Sequence, residues 1–424
     1  MKTIIIGAGF AGLSAGHKLK KDFLILEKNE RPGGLCRTDI VAGFTFDYTG
    51  HFLHLRKPET KKFILANCKV PLKAITRKAS IYSNGVYTGY PYQVNSFGLP
   101  AKIGSENVAG FLKAKLLNKV SHVNFKQWVL TALGEGIAKN FMFPYNLKLF
   151  KFPLDMLSVN WMGRFVPSPD IDEVMKGILP KAQKDMGYNV NFYYPEKGGI
   201  ESVIKGIYNK IQEKVRLNTT VKKIDLTKKI VFLQGGKQEQ YTSLISTLPL
   251  KELTQITGDR ELITLGNKLK GVSVYSLNLG FKSKIPINKH WVYVPESKYP
   301  FYRIGFPSEV MKSSAPEGLS SVFTEVSYNT EVPKGIDAKI IKGLINMGII
   351  KSKNDIVVKH AMILKNAYVI YDNKRDELVS QIRKKLETYG VYTAGRWGNW
   401  EYSSMEDAIL EGFAIAEQVK KNAN

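Results

Sequence analysis

The chain opens on a short β-branched run, Thr3–Ile6, which leads through a glycine-rich turn into apolar positions of helical spacing over Leu13–Lys20. A second apolar run, Phe23–Leu26, follows almost at once. Strand, glycine turn, helix and strand in that order predict the start of a doubly wound α/β unit. Farther on, Val108–Leu117 and Phe125–Leu133 repeat apolar residues every three to four positions, which predicts helices within Ile103–Lys184. Val272–Phe281, Trp291–Val294 and Ser320–Tyr328 are β-rich runs that predict antiparallel strands.

Composition adds bounds to this pattern. With 424 residues, 44% apolar and 23% charged, the chain is globular, and disorder or a collagen-like structure is excluded. The 62 Lys+Arg against 37 Asp+Glu give a net charge of +25, which invites a nucleic-acid or anionic-membrane reading. Only 11 of these cations are arginines, so the excess is lysine and reads as solvated surface; no nucleic-acid partner is expected. Two cysteines, Cys36 and Cys68, make neither a disulfide framework nor a metal array, so no metal and a reduced, cytoplasmic setting are expected. No apolar run reaches the roughly 18 residues that a spanning helix needs.

The candidate chemistry starts at the first turn. Gly7 suits a tight turn, Gly9 lets the backbone approach a pyrophosphate, and Gly12 allows close packing of helix on strand. Phe10 and Ala11 lie within that turn, and the helix that follows turns its N-terminus to the phosphate. Glu27, twenty residues after Gly7, ends the second strand where a carboxylate accepts ribose hydroxyls, with Lys28 beside it. The loop that follows, Glu30-Arg31-Pro32-Gly33-Gly34-Leu35-Cys36-Arg37-Thr38, resembles the flavin-containing amine oxidase and mutase superfamily, where it lies along the FAD diphosphate. Leu244–Leu250 and Tyr392–Gly398 are similar to that superfamily's returning strands. The resemblance implies FAD, held by Gly7, Gly9, Phe10, Ala11, Gly12, Glu27, Lys28, Gly33, Gly34, Leu35, Arg37, Val221, Thr247, Gly395, Arg396 and Met405. The same resemblance makes Met405–Val419 the closing helix, its N-terminus aimed at the isoalloxazine.

Central segments resemble one branch, the UDP-galactopyranose mutases, and their eukaryotic form more than their bacterial form. These are Gly50–His54, Gly89–Asn95, Asn140–Phe150, Trp161–Asp170, Asn189–Ile200, Trp291–Arg303, Asn366–Asp372 and Gly395–Tyr402. The resemblance places His51 beside the flavin. It assigns Tyr90, Gln93, Phe141, Tyr145 and Asn146 to the uridine, with the ring of Phe141 stacking on uracil. It gives the diphosphate and sugar to Arg164, Asn189, Tyr293, Arg303, Tyr368 and Tyr402. Alternation along the strands lets Tyr293 and Arg303 face one surface.

That resemblance implies an α/β fold with a Rossmann-type FAD-binding domain (1–95, 187–256 and 388–424), an inserted helical domain (96–186) and an antiparallel-sheet substrate domain (257–387). It implies an isomerase in which reduced flavin N5 attacks the anomeric carbon while His51, Arg164 and Arg303 serve catalysis. The partners implied are a UDP-sugar, UDP-galactose or a related hexose, and NAD(P)H or another reductant; self-association stays open. Two departures, Phe150 for a tryptophan and Glu309 near an expected tyrosine, leave another nucleotide sugar open. The alternative is an FAD-dependent oxidase or desaturase of the same superfamily.

Overall fold

A computed structural model describes residues 2–117, 123–180 and 190–422, without the side chain of Arg164. Asn189 therefore lies outside the described residues, as does part of the expected helical stretch Ile103–Lys184. Five strands form a parallel sheet in the spatial order 391–393, 243–246, 3–6, 23–26 and 215–216. Thr3–Ile6 lies at its centre and is buried throughout, which is why it reads as a continuous apolar run rather than an alternating one.

The first turn of this sheet is as tight as the glycine spacing predicts. Gly7 has φ +100°, and a Cβ on Gly12 would lie 2.0 Å from the carbonyl oxygen of Gly7. The helix Phe10–Leu19 thus sits directly against its strand, and the closing helix Met405–Lys421 crosses it closely enough that Gly412 meets the backbone of Ala11.

The helical part comprises Ala101–Leu117, Phe125–Ile137 and Phe143–Phe150. A kink at Gly134 (φ 80°) interrupts the second helix, and a π-helical turn, Ala138–Met142, joins it to the third. Nothing in the apolar spacing signals that turn.

A second sheet has seven strands in the order 356–369, 271–281, 320–328, 303–305, 291–293, 79–83 and 86–89. All neighbours are antiparallel except Trp291–Tyr293 against Ala79–Ser83. The structure differs here from the sequence reading. Ala79–Gly89, expected within the nucleotide-binding segment 1–95, completes the edge of the antiparallel sheet because Ser80–Ile81 pair with Val292–Tyr293.

Polar contacts tie the two sheets together. Asp39, on the hairpin 38–47, accepts from His360 Nε2 at 2.9 Å and pairs with Arg31; Arg31 also reaches buried Glu201 at 2.9 Å. Among the described residues no helix is long and apolar enough to cross a membrane. Gly12→Val is expected to destabilise the protein by about 1–3 kcal/mol, since the new side chain must displace the Gly7 carbonyl. Denaturant unfolding checks this, and an unchanged midpoint would contradict the close approach.

Candidate active site

The dinucleotide cradle forms where the glycine turn meets the Gly33–Gly34 loop. Gly33 donates to the Ala8 carbonyl at 2.9 Å, and a Cβ on Gly34 would lie 3.5 Å from the Cα of Gly9. Gly9 offers no capping side chain and the first turn of the helix Phe10–Leu19 holds no acid, so its N–H groups face the cradle without a carboxylate from the chain. Glu27 is buried at the end of its strand, with Oε2 accepting from Ala8 N at 2.8 Å and Oε1 from Asn29 N at 2.9 Å. Thr219 N donates to the Glu27 carbonyl at 2.8 Å, which brings the start of the strand at Val221 to the same end. Thr247 Oγ1 donates to the Ile6 carbonyl and fills the space beside Gly7. Leu35 is half-buried and Lys28 is exposed. This cradle, with an open helix N-terminus and a buried carboxylate, fits a dinucleotide.

Two arginines expected at the flavin are engaged by the chain itself. Arg37 Nε donates to the Gly34 carbonyl at 3.1 Å and its guanidinium lies over Tyr48. Arg396 donates to the carbonyls of Ala367 (2.9 Å) and Ser403 (2.9 Å), and covers the rings of Tyr402 and Tyr368 at 4.6 and 5.5 Å. Gly395 packs on Ala11 and donates to Glu411 at 2.7 Å. Met405 heads the closing helix, but Ser404 and Asp407 form a capping box there and Glu406 binds Arg56. That end therefore meets the chain's own carboxylates, which offset the positive pole expected to face the isoalloxazine.

Among the described residues, Tyr293, Arg303, Tyr368 and Tyr402, expected at the diphosphate and sugar, lie in one cluster. Tyr293 lies directly opposite Arg303, and Arg303 directly opposite Glu325, so all three share one sheet face. Glu325 is fully buried and accepts from Arg303 Nε and Nη2, each at 2.7 Å. Tyr293 stacks on Tyr90 (5.1 Å) and meets Tyr145 edge-on (5.6 Å). Tyr368 stacks on Tyr402 at 5.9 Å, and Phe165, next to Arg164, packs edge-on against Tyr402 at 4.5 Å. Arg164 itself lies in the turn Gly163–Phe165. Burial raises the phenol pKa values of Tyr145, Tyr293 and Tyr368, with the Arg303 charge acting the other way. All three are hydroxyl donors at neutral pH.

His51 stands beside the two central arginines. Burial lowers its pKa to about 4, and the charges of Arg396 and Arg303 push in the same direction, so the ring is neutral near pH 7. Its Nδ1 is buried with no hydrogen-bond partner of good geometry among the described residues, although the carbonyls of Tyr48 and Thr49 lie close. The orphaned nitrogen points to a group that the site accepts from outside.

Three residues that the resemblance assigns to uridine are engaged by the chain itself. Phe141 is buried and stacked on both Tyr92 (4.7 Å) and Tyr145 (5.2 Å), so little of its ring is left for a base. Gln93 Nε2 donates to the Pro167 carbonyl, and Asn146 Nδ2 to the Met142 carbonyl, both at 2.7 Å. Glu309, noted as a departure, is exposed on the short helix Pro307–Val310.

The sequence reading missed Glu325, Tyr302 and Arg77. Glu325 is the lone acid in the run Ser320–Tyr328, a signal that by itself reads as an exposed position. Tyr302 is buried with its hydroxyl 3.4 Å from that of Tyr368, and Arg77 lies buried over the Tyr90 ring at 4.6 Å.

Two outcomes are expected. Glu325→Ala strips Arg303 of its carboxylate in a mostly buried place and should lower stability by about 3 kcal/mol or more, whereas Glu325→Gln should lose less; urea unfolding of both variants checks this. His51 should remain neutral down to about pH 5 in an NMR titration, and a midpoint near the ordinary value would contradict its burial. Because its folded pKa is lowered, His51 contributes stability above the unfolded value of 6.5 that is lost as pH falls towards about 4.

Comparison with known proteins agrees with this geometry. A family model described as flavin containing amine oxidoreductase matches residues 10–420. A crystal structure of reduced UDP-galactopyranose mutase superposes with a TM-score of 0.93 at 26% identity, covering 99% of this chain and 94% of the other. A putative protoporphyrinogen oxidase from Exiguobacterium sp. 255-15 gives 0.75 at 18% identity, covering 99% of both chains, and putrescine oxidase bound to putrescine gives 0.70 at 15%, again covering 99% of both. These two share the fold. Farnesylcysteine lyase of Arabidopsis thaliana is 31% identical over 109 residues, which are 23% of this chain and 21% of that protein. A protein in the nifH2 3' region of Methanothermococcus thermolithotrophicus is 41% identical over 54 residues, 12% of this chain and 52% of that one. The chain therefore aligns with about a fifth and about half of the length of these curated relatives. The match over nearly the whole chain, on a fold with a dinucleotide cradle, places this protein in the flavin-containing amine oxidoreductase family, with FAD as its cofactor.

Proposed function

We propose that the protein is an FAD-dependent nucleotide-sugar mutase that interconverts pyranose and furanose forms of a UDP-hexose. The observation that carries this reading is the row Tyr293–Arg303–Glu325, faced by Tyr145, Tyr368 and Tyr402 and by neutral His51. A rigid guanidinium among protonated phenols suits a diphosphate, whose oxygens accept from both. An amine substrate has no use for that donor set. Similarity to reduced UDP-galactopyranose mutase supports the same reading.

In this reading, bound flavin in its reduced form supplies the nucleophile at N5. Arg303 and Arg164 bind the diphosphate and stabilise it as it leaves, with Tyr293, Tyr368 and Tyr402 donating hydroxyls. Arg303 is oriented before substrate arrives, because Glu325 holds two of its nitrogens and leaves Nη1 for the ligand. Tyr90 and Tyr145 line the uridine end, and Asn189, outside the described residues, is assigned to the diphosphate by the resemblance alone. Phe141, Gln93 and Asn146 join it if the Tyr145 stack and the Pro167 contact open on binding. His51 would sit beside the flavin, where its Nδ1, without a partner among the described residues, could accept or donate a hydrogen bond. The domain division given above, a cytoplasmic setting for the free thiols Cys36 and Cys68, and NAD(P)H as reductant belong to the same reading.

The neighbouring oxidases favour a second reading, in which oxidised flavin turns over with peroxide or a reduced acceptor as product. An anaerobic assay with dithionite-reduced protein and a panel of UDP-hexoses decides between them. Conversion to the furanose by reduced protein alone is expected. No conversion, together with turnover by the oxidised form, would replace the mutase by the oxidase. In the same assay Arg303→Ala and Arg164→Ala should each lower kcat/KM by about 10- to 150-fold, corresponding to ~1.5–3 kcal/mol for a lost charged contact. Unchanged kinetics in both variants would remove them from the site.

A further inference from the structure

Lys148 lies on the helix Phe143–Phe150, three residues after Tyr145, and the proposed chemistry gives it no task. Its side chain crosses to the seven-stranded sheet, where Nζ donates to the carbonyls of Val294 (2.7 Å) and Glu296 (2.9 Å). Val294 follows Tyr293 directly. A single ammonium therefore ties the helix that carries Tyr145 and Asn146 to the turn leaving the strand that carries Tyr293. Across this tie Tyr145 and Tyr293 meet edge-on at 5.6 Å.

The tie depends on charge. Burial lowers the Lys148 pKa to about 7, Lys151 pushes it further down, and Glu296 opposes them. Glu296 Oε2 is buried with no hydrogen-bond partner among the described residues, and Oε1 pairs with Lys298 at 3.1 Å. On the adjoining strands, Arg303 and Glu325 are closed on each other. Two carbonyls converging on one nitrogen bind an ammonium more firmly than a neutral amine, which has fewer and weaker donors.

We propose that Lys148, in its charged form, is a positioning residue that clamps the Val294–Glu296 turn and so sets the spacing of Tyr145 and Tyr293 for a nucleoside diphosphate sugar. This inference rests on the nucleotide-sugar reading of the site. It gives affinity for the ligand a pH dependence, full below the lysine's transition and lost as pH rises through it.

The test is calorimetric binding of UDP-galactose to the oxidised, FAD-loaded protein from about pH 5.5 to about pH 8.5, a range in which the sugar nucleotide itself does not ionise. Wild-type Kd should rise about tenfold across the range. Lys148→Met should bind at the weaker value at every pH while keeping its FAD and melting temperature. Lys148→Arg should hold the tighter value to the alkaline end, because its charge does not titrate. A wild-type Kd that is flat with pH, or a Lys148→Met variant with wild-type affinity and profile, overturns the proposal. If Lys148→Met does not fold, the wild-type titration and Lys148→Arg still decide. If wild type binds no UDP-sugar at any pH, the nucleotide-sugar reading fails instead. The clamp is then read alone by hydrogen exchange of the 291–297 amides, whose protection should fall above about pH 7; unchanged protection overturns it.

Discussion

The ion pair between Arg303 and Glu325 is the interaction on which the site depends. A carboxylate with no solvent exposure in the middle of a seven-stranded sheet is costly unless a cation meets it with good geometry. Arg303 does so through two nitrogens at 2.7 Å, from the position directly opposite on the next strand. The register of three strands follows, since a one-residue slip would turn Tyr293, Arg303 or Glu325 to the other face. The same pair orients the guanidinium fork towards the tyrosine cluster. Its charge also reaches outwards, helping to keep His51 neutral and acting against the raised phenol pKa values around it.

Cofactor side and substrate side are brought together by contacts between distant parts of the chain. The hairpin 38–47 leads from the Gly33–Gly34 loop to His51, and its Asp39 is held by Arg31 on one side and His360 of the long strand 356–369 on the other. The closing helix adds a second anchor, where buried Glu406 gathers Arg56, just ahead of the helix Pro58–Asn67, and Thr60 in its first turn. Between these anchors Arg396 spans from the flavin-side turn to Tyr368 and Tyr402. The cation on which both halves converge is thus fixed by carbonyls and ring faces rather than by an acid. Among the described residues no carboxylate pairs with it, which suits anionic ligands.

The strand–turn–helix at the N-terminus was legible because its signals are local: close approach at Gly12, an open helix N-terminus and Glu27 at a set distance along the chain. That Tyr293 and Arg303 face one surface was also legible from the alternation along their strands, though their direct pairing was not. Glu325 was not, since a lone acid in an apolar strand reads as an exposed position until its neighbour across the sheet is known. Nor was the place of Ala79–Gly89, whose pairing with Trp291–Tyr293 spans some two hundred residues. The same limit applies to Phe141, Gln93 and Asn146. Their residue types suit a nucleotide, but only packing reveals that Tyr92, Pro167 and Met142 already engage them.

By itself the sequence determined the dinucleotide cradle, the helical and antiparallel segments and the scarcity of arginine that makes each one informative. Those properties reside in backbone freedom, residue period and count, all of which act over a few residues or over none. Only the tertiary structure decided which arginine is held by an acid, which by carbonyls, and which aromatic faces are covered. Burial and pairing are set by groups far apart in the chain, and they govern both the charge a side chain keeps and the direction in which it can bind.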